Sequence, residues 1–199
     1  MCTSIIIAGG KSLRIGENKA LLKFNGFTLI DLIVNKLITK FKHIIVSTNN
    51  PEQYSFLGEK VIFVKDKYTD RGGLEGIYRG LITSKSEYNF VVSCDLPFLN
   101  MDLIGYIWEK RKNFDVVVIK RNNDEIEPFY GVYSKNCISK IKKNLEQRNL
   151  RIISFYPEVR VKYINEKEIL KFDLNLSLFN LNTLDDYKKA LEIFKSIVF

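Results

Sequence analysis

A glycine-rich segment, Gly9–Lys19, follows directly after the apolar run Ile5–Ile7. Its glycines let backbone N–H groups approach an anion closely, because no Cβ stands in the way. Arg14 and Lys19 add positive charge where a triphosphate would lie. The segment contains neither GxxxxGK[ST] nor GxGxxG, so it is neither a Walker A motif nor a dinucleotide fingerprint. A buried strand that ends in such a loop indicates a nucleotide site, and the alternative is a tight turn that needs glycine.

A carboxylate follows a second apolar run, in the stretch Ser93–Leu99 (SCDLPFL). The strand before it would direct Asp95 toward the edge of the sheet where ligands bind. A hard oxygen ligand there suits Mg²⁺, which usually takes one or two carboxylates and completes its shell with phosphate and water. Taken alone, an aspartate before a proline turn is more typical of a cap for the next segment.

Two weaker signals fall at corresponding positions farther along the chain. Asp66 follows the apolar run 61–64 and is a candidate for contact with a ribose or a base, or simply a solvated charge. The segment Asp70–Ile77 places two glycines at the start of a helix, where free N–H groups favour anions. Close packing of that helix against a sheet would also explain the glycines.

Strand-type and helix-type periodicity alternate along the chain, and this order predicts an α/β fold with a mostly parallel sheet and helices on both faces. Nothing resembles a linker or an internal repeat, so one domain over residues 1–199 is expected. Thr183 is predicted to cap the last helix, with Asp186 in its first turn. The predicted strands are 3–9, 44–46, 61–64, 90–92, 115–119 and 129–133, with 152–155 and 159–164 as a small extra β element in the C-terminal half, and the predicted helices are 28–41, 74–81, 101–111, 137–145 and 184–198.

Composition narrows the function classes. No run of about 18 apolar residues is present, so no membrane contact is expected and the chain is predicted to be cytoplasmic. The cysteines Cys2, Cys94 and Cys137 form no CxxC pair, which argues against structural zinc, and Cys94 is read as a small core residue rather than a nucleophile. The net charge of +8 is scattered, which favours a small polyanionic substrate over nucleic acid.

Taken together, the motifs resemble those of the molybdenum cofactor guanylyltransferases, nucleotidyltransferases with a Rossmann-like fold. The family pattern LAGGxSxRMGxxK appears here as IAGGKSLRIGENK, GPLAGIxxGL as GGLEGIYRGL, and CDxPFL as CDLPFL. NxNTPEDL near the C-terminus appears as NLNTLDDY. The resemblance extends from about residue 5 to about residue 190. It implies a single three-layer α/β/α domain with a GTP-binding N-terminal half and a molybdopterin-binding C-terminal half.

The resemblance also implies roles for individual residues. Catalysis would depend on Lys19, Arg14 and Asp95, with Mg²⁺ held by Asp95. The second half would contribute Asn180 and Asn182 on the pterin side of the cleft. The substrates would be GTP and molybdopterin, with brief contacts to other cofactor-biosynthesis proteins and to the molybdoenzymes that receive the product. The residues implied to bind GTP are Ile7, Ala8, Gly9, Gly10, Ser12, Lys19, Asp66 and Asp95.

Several positions depart from the family pattern. Gly73 replaces a proline and Glu75 replaces an alanine, and a carboxylate at 75 would repel phosphate unless it points away or pairs with Arg79. The asparagine often found at the end of the second strand falls at Ser47, although Asn49 and Asn50 lie close by. Three alternative functions remain open: a related nucleotidyltransferase that uses CTP with molybdopterin or activates a sugar phosphate, a nucleotide-binding module without catalysis, and a nucleic-acid binder.

Overall fold

A central sheet of seven strands, flanked by helices, organises the chain in a computed structural model that describes residues 2–9, 18–68 and 70–198. The strands are β1 Thr3–Ile7, β2 Lys23–Phe24, β3 Phe27–Thr28, β4 His43–Ser47, β5 Ile62–Val64, β6 Tyr88–Ser93, β7 Val116–Lys120, β8 Ile126–Ser134 and β9 Val161–Asn165. The helices are α1 Leu29–Leu37, α2 Gly72–Thr83, α3 Met101–Glu109, α4 Cys137–Glu146, α5 Leu174–Ser177 and α6 Leu184–Val198. Four 3-10 segments, Lys19–Leu21, Pro51–Lys60, Ile152–Glu158 and Glu166–Ile169, complete the described elements.

The main sheet has the order β5-β4-β1-β6-β8-β7-β9 and is parallel except for β8, which runs antiparallel to both neighbours. Side chains alternate across its two faces. On β1, Ile6 packs in the cluster that includes α1, α3 and α6, whereas Ile5 and Ile7 pack in the cluster that includes α2 and α4. The predicted α/β fold with helices on both faces of a mostly parallel sheet is therefore confirmed.

Local sequence signals explain several element boundaries. The predicted helix 28–41 begins at Leu29 because Thr28 caps it: the Asp31 N–H donates to Thr28 Oγ1 (3.2 Å), and the Thr28 N–H donates to Asp31 Oδ2 (3.2 Å). It ends at Leu37. The prediction that Thr183 caps the last helix is confirmed by the same reciprocal arrangement with Asp186.

The small extra β element was predicted in the wrong half of the chain. The structure places it at β2 and β3, a hairpin whose turn residues Asn25 and Gly26 both have positive φ. An Asn-Gly turn of this kind matches the twist of the flanking strands, and it was the signal in the sequence that the prediction overlooked. The strand predicted at 159–164 is β9, which joins the edge of the main sheet parallel to β7.

The strand predicted at 152–155 is wrong, because these residues belong to the 3-10 segment Ile152–Glu158. Phe155 and Tyr156 are both buried in the cluster beneath α4, whereas a strand would direct consecutive side chains to opposite faces. A short apolar run does not distinguish the two conformations by periodicity alone.

The last helix, α6, packs against the hairpin formed by β2 and β3. The hydroxyl of Tyr187 on α6 donates to the carbonyl of Lys23 in the hairpin. The ring of Phe24 packs against Tyr187 (5.5 Å between centroids) and Phe194 (5.6 Å). These contacts fix α6 against the segment that follows the glycine-rich loop. In the part of the chain that the structure describes, no helix is long and apolar enough to cross a membrane.

One buried carboxylate joins three strands at the far side of the sheet. Asp115, which precedes β7, accepts hydrogen bonds from the backbone N–H (3.0 Å) and Nε (3.1 Å) of Arg160, and from Asn136 Nδ2 (2.9 Å). Hydrogen bonding from Arg160, opposed by burial and assisted by Asn136, lowers the pKa of Asp115 to about 2. The ionised carboxylate therefore stabilises the native packing of β7, β8 and β9.

Asp115→Asn is expected to change how stability depends on pH. The native pKa lies below the value of about 3.9 for an unfolded aspartate, so the stabilisation is complete above that value and is lost as the pH falls toward 2. The difference in unfolding free energy between wild type and variant should be on the order of 1 kcal/mol at pH 6, because the Arg160 side chain is largely exposed and its interaction is screened. Denaturant unfolding between pH 2.5 and 7 would measure it.

The control for this experiment is Asp185→Asn, which removes an exposed carboxylate from the first turn of α6. Its stability relative to wild type should stay nearly constant over the same pH range. A wild-type advantage over Asp115→Asn that persists unchanged down to pH 2.5 would contradict the assignment of a depressed pKa to Asp115.

Candidate active site

A cavity of about 670 Å³ opens at the carboxyl ends of the central strands. From β1 the chain moves outward through β4 and β5, then crosses back to β6 on the other side of β1. The switch in direction therefore lies between β1 and β6, where open α/β sheets bind ligands. The cavity is lined by Ile7, Ala8, Gly9, Asn18, Lys19, Ser47, Asp66, Asp70, Gly72, Gly73, Gly76, Ser93, Cys94, Asp95, Leu96, Glu127, Pro128, Phe129, Tyr130 and Asn180.

Lys19 contacts two polar side chains, those of Asp95 and Asn182. Lys19 Nζ lies 3.9 Å from Asp95 Oδ2 and donates to Asn182 Oδ1 at 3.1 Å. The side chains of Lys19 and Asp95 are mostly buried, being 17% and 21% exposed. The three residues come from the beginning, middle and end of the chain, so only the completed fold brings them together.

Asn18, which sequence reasoning did not single out, fixes the position of Lys19. Its Oδ1 accepts from the N–H of Ala20 (3.1 Å) and so caps the short 3-10 segment Lys19–Leu21. Its Nδ2 donates to Gln53 Oε1 (2.8 Å) and to the Tyr54 hydroxyl (2.7 Å). The signal that could have revealed it is an asparagine immediately before a helical turn, a common N-cap.

Asp95 is held at the end of β6 by its backbone. The N–H of Cys94 donates to the carbonyl of Ile7 (3.1 Å), and the N–H of Leu181 donates to the carbonyl of Asp95 (3.0 Å). Its Oδ1 is buried and accepts no hydrogen bond from the described residues. A buried carboxylate oxygen without a donor is costly unless a cation or ligand group satisfies it.

The residues present fit one Mg²⁺ ion that takes a single protein carboxylate. No group of three or more His, Cys, Asp or Glu side chains among residues 2–9, 18–68 and 70–198 could form a closed metal cage. Mg²⁺ keeps most of its shell for water and substrate phosphates, so the lone buried oxygen of Asp95 matches its needs.

Burial raises the pKa of the neighbouring Cys94 thiol to about 12. The thiol is therefore protonated near neutral pH and is a poor nucleophile, in agreement with its interpretation as a core residue.

Asp66 lies on the other side of the cavity, beside Gly9. Its carboxylate accepts from Asn49 Nδ2 (3.1 Å) and Ser47 Oγ (3.4 Å), and Asn49 Oδ1 accepts from the Asp66 N–H (3.2 Å). A Cβ on Gly9 would stand 3.7 Å from Asp66 Oδ2. Burial raises the pKa of Asp66, and the hydrogen bonds from Asn49 and Ser47 oppose this. Asn49 therefore supports Asp66 although Ser47 occupies the position where the family often has asparagine.

Two backbone groups at the end of β1 already make hydrogen bonds to neighbouring strands. The N–H of Ala8 donates to the carbonyl of Ser47 (2.8 Å), and the Ile7 carbonyl already accepts from Cys94. Of the residues predicted to bind GTP, Ile7, Ala8 and Gly9 do line the cavity together with Lys19, Asp66 and Asp95. The remaining predicted residues, Gly10, Ser12 and Arg14, lie outside the described residues.

The structure explains the two positions, 73 and 75, at which the chain departs from the family pattern. Glu75 is buried, and its Oε1 accepts from the N–H of Lys67 (3.2 Å), so it points away from the cavity. Arg79 does not neutralise it but donates to the carbonyl of Lys65 (3.1 Å). A Cβ on Gly73 would collide with the ring of Phe129, so the glycine makes room for that aromatic side chain.

An irregularity in β8, which sequence reasoning missed, brings three residues to the cavity: Glu127, Pro128 and Phe129. Val118 of β7 pairs with Gly131, but the next residue, Ile119, pairs with Glu127. Residues 128–130 therefore have no partner on β7 and bulge out of the ladder. Proline cannot donate to a β-ladder, so Pro128 inside a strand-like run was the available signal. The bulge brings the carboxylate of Glu127 to the cavity beyond β6.

The C-terminal segment closes the cavity next to Asp95. Asn180 lines it, and Asn182 bonds to Lys19, so the structure brings both predicted C-terminal residues to the site. The N–H groups of Asn182 (3.0 Å) and Thr183 (2.8 Å) both donate to Asp186 Oδ2, which holds this segment at the start of α6.

Comparison with known proteins places this geometry in a family. The model of the MobA-like NTP transferase domain matches residues 4–159. A protein from Pelotomaculum thermopropionicum named "Probable molybdenum cofactor guanylyltransferase" is 35% identical over 189 residues, covering 94% of this chain and 91% of its own. A protein of the same name from Carboxydothermus hydrogenoformans is 36% identical over 196 residues, covering 96% of each chain.

A solved structure supports the fold. The crystal structure of molybdopterin-guanine dinucleotide biosynthesis protein A from Archaeoglobus fulgidus superposes with a TM-score of 0.84. It is 23% identical and covers 98% of this chain and 100% of its own. At this level of identity the match establishes a shared fold, and it includes the C-terminal residues that lie beyond the family match.

Proposed function

Because the chain belongs to the family of MobA-like NTP transferase domains and is a nucleotidyltransferase of the molybdenum cofactor guanylyltransferase type, we propose that it transfers GMP from GTP to molybdopterin in an Mg²⁺-dependent reaction. The products are the guanine dinucleotide cofactor and pyrophosphate, and the reaction takes place in the cytoplasm. The observation that carries the proposal is the pairing of Lys19 with Asp95 in the cavity at the switch point of the sheet, where Asn182 also accepts a hydrogen bond from Lys19.

GTP lies with its base toward Gly9 and Asp66 and its phosphates toward Lys19. The Ala8 N–H is bonded to Ser47, so the base meets the Ala8 carbonyl and the Gly9 N–H instead. The close approach of Gly9 to Asp66 brings a carboxylate to the nucleoside without a side chain between them. Gly10, Ser12 and Arg14 hold the triphosphate, as the resemblance implies.

Molybdopterin lies on the side of Asn180 and Asn182, next to the partly buried Asp95–Lys19 pair. Its phosphate is already an anionic nucleophile, so the attack on the α-phosphorus needs no strong general base. Catalysis then consists of aligning two anions and stabilising the charge that develops on the transferred group.

Lys19 supplies a fixed positive charge between the two substrates, held by Asn182 and by the capped turn around Asn18. Asp95 would hold Mg²⁺, which on binding would screen the phosphates and stabilise the leaving pyrophosphate. Both side chains line the cavity and are mostly buried, and electrostatic interactions are stronger there than in bulk water.

The proposal is tested by nucleotide selectivity with molybdopterin and Mg²⁺ present. GTP should yield dinucleotide and an equal amount of pyrophosphate at least about 100-fold faster than CTP, ATP or UTP, because a site built to hydrogen-bond one base leaves polar groups unpaired with another. Product formation would be followed by chromatography and pyrophosphate release by a coupled assay.

The other outcomes select among the alternatives. Preference for CTP, or turnover with a sugar phosphate in place of molybdopterin, would overturn the guanylyl assignment. Tight GTP binding without pyrophosphate release would indicate a nucleotide-binding module. Retention of DNA or RNA that weakens steeply with salt, in the absence of turnover, would indicate a nucleic-acid binder.

A further inference from the structure

One carboxylate that lines the cavity, that of Glu127 on β8, has no role in the proposed reaction. Glu127 lines the cavity where β8 separates from β7, and its side chain is only 18% exposed. We propose that Glu127 recognises the acceptor by accepting hydrogen bonds from the 2-amino group and ring N–H of its pterin. The inference rests on the proposed function and assigns one specificity-determining residue within it.

Glu127 lines the cavity, and only one of its two carboxylate oxygens has a hydrogen-bond partner among the described residues. Arg121 Nη1 donates to Glu127 Oε1 (3.3 Å), and Arg121 Nη2 donates to Asn175 Oδ1 (3.0 Å), so the guanidinium braces the carboxylate from one side. Glu127 Oε2 accepts no hydrogen bond from any described residue. A carboxylate has about four acceptor sites, so donors from a ligand can reach it without displacing Arg121.

Both proposed substrates carry a ring edge that can donate hydrogen bonds to a carboxylate such as Asp66 or Glu127. Guanine and pterin share a pyrimidine ring with a 2-amino group next to a ring nitrogen, an edge that presents N–H donors. Asp66 lies beside Gly9, at the end of β1, and Glu127 lies on β8, two strand positions from β1 in the sheet order, or roughly 10 Å. Asp95, which pairs with Lys19, follows β6, the strand between β1 and β8, where the phosphates of the two substrates would meet.

Charge decides the direction in which the acceptor enters. A phosphate near Glu127 would face a carboxylate, whereas the same phosphate near Lys19 faces an ammonium group. The acceptor therefore binds with its phosphate toward the centre and its uncharged ring toward β8. Burial raises the pKa of Glu127 and Arg121 opposes this, so ligand N–H donors would further stabilise the ionised carboxylate.

The test uses two stable fluorescent probes, pterin and lumazine, the latter carrying an oxygen in place of the 2-amino group. Wild type should bind pterin about tenfold more tightly than lumazine, because the lumazine oxygen would face the carboxylate instead of donating to it. In Glu127→Gln this preference should fall below about twofold, since a neutral amide donates as well as it accepts. Binding would be measured by fluorescence titration at pH 7.

Two further variants separate recognition from structure. Glu125→Gln changes an exposed glutamate in the turn between β7 and β8 and should preserve the tenfold preference. Arg121→Gln removes the brace but keeps the carboxylate, and should weaken both probes while retaining a preference for pterin. If Glu127→Gln keeps the wild-type preference, or if Arg121→Gln abolishes it as completely, the assignment of recognition to Glu127 is overturned.

Steady-state kinetics link the result to the reaction. Glu127→Gln should raise the KM for molybdopterin about tenfold and leave the KM for GTP within about twofold. If wild type forms dinucleotide and the variant has unchanged KM values, this inference fails and the proposed function stands. If wild type forms no dinucleotide, the proposed function fails, and the probe titrations still report on Glu127.

Discussion

Asp95→Asn is expected to lower turnover about 10³-fold while the protein remains folded. Loss of the carboxylate removes the proposed metal ligand and with it several kcal/mol of transition-state stabilisation. Asparagine has nearly the same volume, and the backbone bond from the Leu181 N–H to the residue 95 carbonyl does not depend on the side chain. Single-turnover dinucleotide formation at saturating GTP, with Mg²⁺ varied, would measure the effect.

The matched control is Asp102→Asn, which changes an aspartate whose side chain is 87% exposed and does not line the cavity. It should retain wild-type turnover. The thermal unfolding midpoints of the two variants should lie within a few degrees of wild type. Turnover of Asp95→Asn close to that of wild type would remove Asp95 from the metal-binding role, whatever its effect on nucleotide affinity.

Lys19→Ala should lower kcat about 10²-fold and change the KM for GTP by less than about threefold. The ammonium group lies 3.9 Å from Asp95 Oδ2 and 3.1 Å from Asn182 Oδ1. In the proposed reaction, these contacts would hold it where charge on the transferred phosphate develops. Such a group stabilises the transition state more than the bound triphosphate. Initial rates over a range of GTP concentrations, with molybdopterin held saturating, would separate the two parameters.

Lys42→Ala is the control for the loss of one positive charge, because Lys42 is exposed and lies just before the amino end of β4, away from the cavity. It should leave both parameters unchanged. A rise in the KM for GTP with kcat unchanged for Lys19→Ala would mean that Lys19 contributes only ground-state binding, and charge stabilisation would then have to come from elsewhere in the site.

The sequence was sufficient to predict the sheet and the residues that follow its central strands. Apolar runs located β1 and β6, and the carboxyl ends of parallel strands share one edge, so Gly9 and Asp95 were expected to be neighbours. The structure agrees, since both line the same cavity. Boundaries with a chemical signal, such as the cap formed by Thr183 and Asp186, were also predictable.

Features that depend on tertiary pairing were not predictable from local patterns. The insertion of β8 between β6 and β7, with its bulge at residues 128–130, follows from how three strands share hydrogen bonds. Glu127 was therefore not singled out from the sequence. The bond between Lys19 and Asn182 spans 163 positions, and no periodicity encodes it. Its two residues were linked only through the resemblance to a family.

The packing of α6 against the hairpin at β2 and β3 has a consequence for the order of events during synthesis. Lys19 emerges from the ribosome long before Asn182, and its bond to that residue cannot form until residue 182 has been translated. Domains that rely on such distant pairings acquire their final interior late. We therefore expect a nascent chain to lack the bond between Lys19 and Asn182 until α6 docks against the hairpin.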